Sequence, residues 1–234
     1  MTSCTASALA DLERKVRPAH LGGDDRPGLD RLRLGVASSV PEIRLHLAED
    51  AMVWWARMEA EAGEGLTPPF WATAWAGGQA IARYLLDHPE TVTGRRVLDL
   101  ATGSGLAAIA AAQAGAATVT ANDVDPYALA AVILNARAND VSVATSHGDL
   151  LDGDGGDAEV VLAGDVFYSE PMAERMLPFI ERVTGRGARM LIGDPGRTHL
   201  PRERLRVLAS YRASTAGAFG DFDIERMDVL EPIR

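Results

Sequence analysis

The chain is expected to fold as an α/β protein: a doubly wound, mostly parallel, seven-stranded sheet with an antiparallel C-terminal hairpin and an N-terminal extension. Three observations predict it. From residue 95 onward, short apolar runs alternate with helical stretches, the order that builds a parallel sheet through crossover helices. Those runs, such as "RRVLDL", "EVVLAG" and "ARMLIGD", are continuous in hydropathy, as strands buried on both faces are. The last two strand stretches are separated by "GAFGDF", too short for a crossover helix, so they pair antiparallel.

In order, "RRVLDL" is a strand, "GLAAIAAAQAGA" a helix, "TVTAND" a strand, "DPYALAAVILNARAND" a helix and "VSVATSHGDL" a strand. After a "DGDGGDA" turn come the strand "EVVLAG", the helix "PMAERMLPFIERV" and the strand "ARMLIGD". A helix over "PRERLRVLAS" and the strands "YRASTA" and "DIERMDVLEPI" complete the expected domain, residues 95–234. Residues 39–94 are expected as a cap segment. Ile43, Leu45 and Leu47 alternate against Arg44 and His46 as in a half-buried strand, and a helix follows over "DAMVWWARMEAE". Pro68 and Pro69 then force an extended lead-in to a helix whose face is Ala80, Ile81, Tyr84 and Leu85. Residues 1–38 are expected as a partly flexible extension: a frayed helix and a linker around "HLGGDDRPG".

Composition narrows the function. The chain has 234 residues, 47% apolar and 24% charged, enough to bury one sizeable core. Its net charge of -10 argues against nucleic-acid binding, which uses a basic stripe, and suits a basic protein partner. The single cysteine, Cys4, rules out a disulfide framework and fits a reducing compartment. His20, His46, His88, His147 and His199 lack ligand spacing, so no metal is expected. Neither a signal peptide nor a membrane span is legible, so the expectation is a soluble, cytoplasmic protein, a monomer or weak dimer.

In an open doubly wound sheet the ligand lies beyond the carboxyl ends of the strands, at the switch point. The first strand there ends "VLDLATGSG". Gly103 and Gly105 permit a tight turn and close approach to the next helix N-terminus, and Asp99 adds a carboxylate. A dinucleotide fingerprint would need Gly at 101, 103 and 106, where the chain has Ala101, Gly103 and Leu106. A pyrophosphate therefore has poor access. A ligand carrying an ammonium and a sulfonium suits Asp99, which favours S-adenosyl-L-methionine over NAD. The alternative is that Asp99 caps backbone amides.

Asp123, ending the second strand, can accept both hydroxyls of a ribose. Asp125 before Pro126 reads as a helix N-cap. After the third strand, Asp149 could accept from an adenine amino group and Leu150 cover the ring, or Asp149 simply opens the acidic loop. The fourth strand runs into "AGDVFYSE", where Ala163 and Gly164 leave room beside the cofactor and Asp165 and Tyr168 follow. Phe167 is expected in the core, as are Trp71 and at least one of Trp54 and Trp55. After the fifth strand, Pro195 and Gly196 form a tight turn; Asp194 and Arg197 either pair to hold it or line an acceptor channel.

The D-x-x-x-G-x-G at 99–105, Asp123, and the D-x-x-Y at 165–168 together resemble the seven-stranded, Rossmann-like class I methyltransferases. The D-x-x-Y, with "PPFWATAWAGGQA", "RYLLDHPE", "ANDVDP", "AGDVFY" and "LIGDPGR", resembles the protein lysine methyltransferases that include those of the electron-transfer flavoprotein β-subunit. The likeness runs from about Pro41 to the C-terminus; the closing hairpin matches least well, and Ala101 departs from the usual glycine. It implies S-adenosyl-L-methionine as cofactor, S-adenosyl-L-homocysteine as product, and Trp75 with Gly78 over the methionine end. It also implies a protein substrate, the flavoprotein β-subunit, methylated on lysines near its docking surface for dehydrogenases.

Chemistry can be set beside the resemblance. Displacement at a sulfonium methyl needs a neutral amine held in line, whereas a free lysine, with a pKa of about 10.4, is an ammonium. Asp165 could bind that ammonium and orient the amine, and Tyr168 could offer a hydroxyl and a π-face. Two other readings share the fold: a small-molecule N-methyltransferase, and a noncatalytic S-adenosylmethionine-binding partner module.

Overall fold

Strand alternation sorts the core of the chain into two faces. The computed structural model describes residues 2–16, 31–212 and 225–233. Its main sheet holds β3 (Arg96–Leu100), β4 (Thr118–Asp123), β5 (Ala144–His147), β6 (Val160–Gly164), β7 (Arg189–Asp194), β8 (Leu205–Arg212) and β9 (Arg226–Pro232). The order is β5-β4-β3-β6-β7-β9-β8. Strands β3 to β7 run parallel, and β9 pairs antiparallel with both β7 and β8, so the C-terminal hairpin forms as expected. The crossover reverses between β3 and β6, and the crevice that this opens lies at their carboxyl ends.

Successive residues of each buried strand face opposite ways. Val97, Val160, Leu162 and Leu191 pack on α3 (Ala76–Asp87) and α4 (Leu106–Gln113). Leu98, Val161, Ala163, Met190 and Ile192 pack on α6 (Glu170–Gly185) through Met176, Phe179, Ile180 and Val183. Each fully buried large side chain contributes roughly 1.5–3 kcal/mol of burial. Helix α4 is buried from Leu106 to Ala111 and mostly alanine, so its backbone lies close to the sheet. Helix α5 (Pro126–Ala138) starts as the sequence predicts: Asp125 accepts from the Tyr127 N–H at 2.8 Å, and Pro126 occupies its first turn.

The N-terminal region is more ordered in its described parts than composition suggests. Helix α1 (Ser3–Val16) clusters Ala8, Leu9 and Leu12 with Ala128, Ala131 and Leu134 of α5. Strands β1 (Leu32–Ala37) and β2 (Val40–Ala48) form an antiparallel hairpin, so the boundary expected at residue 38 falls in its turn. Asn139 completes β2 on its outer side, accepting from the Arg44 N–H at 2.9 Å and donating to the Arg44 carbonyl at 2.6 Å. Helix α2 (Ala51–Ala62) follows as expected, with Trp54 buried. The loop "HLGGDDRPG", which begins at His20, "GAFGDF" and the last four residues of "YRASTA" lie outside the described residues.

One expected element is different. "PRERLRVLAS" makes a single 3-10 turn, Arg202–Arg204, and then becomes strand β8. Its Leu and Arg residues favour a helix locally, but β9 needs a partner on its outer edge, and that pairing overrides a propensity worth only tenths of a kcal/mol per residue. Among the described residues, no helix is long and apolar enough to cross a membrane.

Candidate active site

Two loops meet at the crevice. The first joins β3 to α4 and turns through three left-handed residues, Ala101 (φ 51°), Gly103 (φ 53°) and Gly105 (φ 81°). Ala101 bears a Cβ in a conformation that glycine adopts without strain, at a cost of about 1 kcal/mol. Asn135 of α5, fully buried, holds the loop by donating to the Ser104 carbonyl at 2.8 Å and accepting from the His46 N–H at 2.7 Å. Sequence reasoning passed over Asn135; a polar residue amid the apolar face of α5 was its signal. Trp71, 2% exposed and stacked on Tyr127, lies beside Gly103.

Asp99 takes the capping role, the alternative to ligand binding. It is 2% exposed, and its Oδ2 accepts from Thr102 Oγ1 at 2.5 Å and from the Ala108 N–H, in the first turn of α4, at 3.1 Å. Burial pushes its carboxyl up to about 7, against the pull of those hydrogen bonds. The native state therefore holds this proton more tightly than the unfolded chain does. The resulting stability is present in full below about pH 4 and is lost as pH rises through about 7. An Asp99→Asn variant is expected to lose a decline on the order of 4 kcal/mol across that window. Thermal melts of both proteins at pH 4 to 8 check this; parallel pH dependences would refute it.

Asp123 is half-buried at the end of β4 and faces the same loop. Its Oδ2 accepts from the Gly103 N–H and its Oδ1 from the Asp125 N–H, both at 3.0 Å, and burial raises its pKa. A carboxylate has about four acceptor positions, so Asp123 keeps capacity to accept from a ribose hydroxyl. Val124, immediately after it, is 63% exposed, an apolar surface fit for an aromatic base that the sequence reading did not single out. Asp149 is not poised toward a base in the same way: it pairs with Arg175 at 2.7 Å and accepts from the Leu151 N–H at 2.9 Å, which opens the acidic loop. Leu150 is half-buried against the α6 face. Ala163 departs from expectation. It is fully buried against that same face, and strand alternation turns Gly164 toward the opposite one.

Gly164 makes room for a helix. A Cβ there would lie 2.8 Å from the Gly78 nitrogen, and one on Gly77 would lie 2.1 Å from the Gly193 carbonyl oxygen. Three glycines from α3, β6 and β7 thus bring the N-terminus of α3 onto bare strand backbone. There its amides meet Asp165. Asp165 Oδ2 accepts from the Gly77 N–H at 2.5 Å and the Gly78 N–H at 3.2 Å. Its Oδ1 accepts from Arg197 Nη2 at 2.7 Å and Nε at 3.2 Å. Asp165 itself is left-handed at φ 57°, and its own N–H is tied to the Gly193 carbonyl.

This arrangement corrects the expectation for Asp165. The four donors match the carboxylate's lone-pair capacity, so the group meant to receive an incoming ammonium is already saturated. Arg197 also stacks, with its guanidinium carbon 5.7 Å from the centre of the Trp75 ring. Trp75 precedes the first turn of α3 and donates through its indole N–H to the Phe70 carbonyl at 2.8 Å. Tyr168 stands 64% exposed beside Asp165's turn, while Phe167 is buried as expected. Asp194 is fully buried; its Oδ1 accepts from the Gly196 and Arg197 N–H groups, so it holds the "GDPGR" turn that aims Arg197. Among the described residues, no cluster of three or more acidic, His or Cys side chains is placed to hold a metal. The cavity of about 490 Å³ lined by Arg189, Arg206 and Glu231 lies at the opposite end of the sheet.

Comparison with known proteins places this crevice in context. A family described as ribosomal protein L11 methyltransferase (PrmA) matches residues 82–182. The chain is 39% identical over 183 residues to the electron transfer flavoprotein beta subunit lysine methyltransferase of Rattus norvegicus, covering 74% of this chain and 70% of that one. Its counterpart from Xenopus laevis is 40% identical over 183 residues, covering 74% and 72%. The crystal structure of magnesium protoporphyrin IX methyltransferase (ChlM) from Synechocystis PCC 6803 with bound SAM shares the fold, with a TM-score of 0.54 and 18% identity over 79% of this chain and 92% of that one. With identity at this level across most of both chains, the chain belongs to the family of the electron transfer flavoprotein beta subunit lysine methyltransferases.

Proposed function

We propose that the chain transfers a methyl group from S-adenosyl-L-methionine to lysine side chains of the electron-transfer flavoprotein β-subunit. The observation that carries this reading is the Asp165 turn. It sits at the crevice, locked by α3 and Arg197, with the exposed Tyr168 ring beside it. Phe70 at 49% exposed and Tyr168 at 64% present aromatic surface on that side, which suits a side chain presented by a protein.

The crevice suits the cofactor. Gly103 and Asp123 would hold the ribose, Val124 the base, and the segment from Trp75 to Gly78 the methionine end. When bound, S-adenosyl-L-methionine supplies a sulfonium methyl: the amine lone pair forms the C–N bond as the C–S bond breaks with its electrons on sulfur. The chain's own contribution is positioning and exclusion of water. Trp75 and Arg197 wall the acceptor side, Asp165 fixes both, and Tyr168 offers a hydroxyl to the amine.

Mass spectrometry of intact flavoprotein after incubation with enzyme and cofactor tests the reading. The expected result is a gain of one or more methyl groups on lysine. Turnover of a small amine with no gain on the flavoprotein would support a small-molecule N-methyltransferase. Cofactor binding without any turnover would support a noncatalytic module.

Cofactor binding has its own test. S-adenosyl-L-homocysteine is expected to raise the melting temperature, since a ligand of the native state stabilises it, while NAD does not. An Asp123→Ala variant should stay folded and lose at least about tenfold in affinity, because a charge-assisted hydrogen bond contributes about 1.5–3 kcal/mol. Retention of the full shift would remove Asp123 from the ribose site.

A further inference from the structure

We infer that Arg197 sets the protonation state in which the acceptor is taken, by cancelling the charge of Asp165 so that the site receives the neutral amine. The inference rests on the lysine methyltransferase reading and assigns Arg197 a positioning role within it. The nucleophile must reach the methyl carbon with a free lone pair, so its ammonium has to give a proton to water first. An uncompensated carboxylate beside it would work against that loss, because a nearby opposite charge favours the charged form.

Asp165 is not uncompensated. Both its oxygens are engaged, one by the Gly77 and Gly78 amides at the positive end of α3 and the other by the Arg197 guanidinium. Its side chain is 10% exposed and that of Arg197 is 21%, so solvent screens the pair weakly. Arg197 is held in place from two further directions: its N–H is bound by Asp194, and its cation lies over Trp75. A cation arriving here therefore meets a paired carboxylate, a helix N-terminus and a resident guanidinium. Their combined field disfavours an ammonium and lowers the pKa of a bound lysine.

Among the described residues, further charged or titratable groups lie near the pair. Tyr168 lies on the turn after β6. Asp194, His199 and Arg202 lie on the β7 side, where Arg202 bonds the Gly196 carbonyl and Asp194 is fully buried. The first turn of α3 carries no charged side chain. Of these described groups, the Arg197 guanidinium gives Asp165 Oδ1 two hydrogen bonds, so removing it takes two charged donors from that oxygen.

The test compares the wild-type chain with Arg197→Gln and Arg197→Lys, measuring kcat and KM for a lysine acceptor from pH 6.5 to 9.5. S-adenosyl-L-homocysteine thermal shifts are run alongside to confirm folding and an intact cofactor site. With Arg197→Gln the inflection in kcat is expected to move up by one pH unit or more, about a tenfold loss of kcat near neutrality that high pH restores. KM for the acceptor should fall, because the exposed carboxylate now holds the ammonium. Arg197→Lys, which keeps the charge, should recover most of the wild-type profile. A uniform loss of kcat with an unmoved inflection overturns the inference and leaves Arg197 a structural residue. A failure of Arg197→Lys to recover the profile overturns it too, since geometry and not charge would then be at work. If the wild-type chain methylates no lysine at all, the proposed function falls with it; wild-type activity with an unmoved profile sinks the inference alone.

Discussion

Replacing Gly77 by alanine is expected to lower the melting temperature by about 6–12 °C, corresponding to at least about 3 kcal/mol in a chain of this size. Helix propensity alone predicts the opposite sign, since alanine stabilises a helix interior by roughly 1 kcal/mol over glycine. Packing decides the outcome. The added Cβ would lie 2.1 Å from the Gly193 carbonyl oxygen, 2.5 Å from Asp165 Oδ2 and 2.7 Å from the Asp165 nitrogen. Two of those three atoms belong to strand backbone and its adjoining turn, which cannot swing aside as a flexible side chain would. The built-in control is Gly78→Ala one position on, where the new Cβ meets nothing within 4 Å. That variant should melt at or slightly above the wild-type temperature. Equal melting of Gly77→Ala and wild type would mean that α3 does not rest on the strands as described.

Asp165→Ala is expected to reduce methyl transfer at least about a hundredfold while S-adenosyl-L-homocysteine still raises the melting temperature. The loss has three sources: the Gly77 and Gly78 amides lose their acceptor, Arg197 loses its partner, and the acceptor wall loosens. A displacement of about 1 Å at a reacting centre is enough for a hundredfold effect. The part-buried Arg197, left without its carboxylate, should also cost about 2 kcal/mol in stability. Asp165→Asn separates the causes, because Asn tolerates a left-handed φ and still accepts from the amides of α3. Its stability should lie between those of wild type and Asp165→Ala. Turnover within a few-fold of wild type in either variant would remove Asp165 from the acceptor site.

The parts of this arrangement were unequally visible in the sequence. Continuous apolar strands and the short final connection gave the sheet, because burial on both faces leaves a hydropathy pattern that hardly depends on anything distant. The first part of the strand over Leu205–Arg212, up to Ser210, was read as helix because its local preference is helical and its reason for extending is a partner more than a dozen residues on. Asp123, Asp165 and Arg197 were legible as polar residues at strand ends. The bond between Asp165 and Arg197 was not, since thirty-two positions separate them and Arg197 had a nearer candidate partner in Asp194. Asp99 shows the same limit from the other side. Its place at a strand end fits a ligand contact or a helix cap equally well, and only its burial and its two donors separate them. Ala163 and Gly164 were read together, and strand alternation separates them: Ala163 faces α6 and Gly164 the opposite face of the sheet.

The interleaved glycines of α3, β6 and β7 also bear on where this protein could be divided. Composition suggests a cap up to residue 94 and a catalytic half after it, as though the second could be grafted onto a different first. Yet Ala80, Ile81 and Leu85 of α3 share one core with Val97 and Leu162 of the sheet, and the same helix supplies two of the four donors on Asp165. A swap of the first ninety-odd residues for those of another protein would keep the cofactor loop but strip the acceptor carboxylate of half its ligands. Chimeras in this family should therefore keep Pro68, Pro69, Trp71, Trp75 and α3 with the sheet they complete.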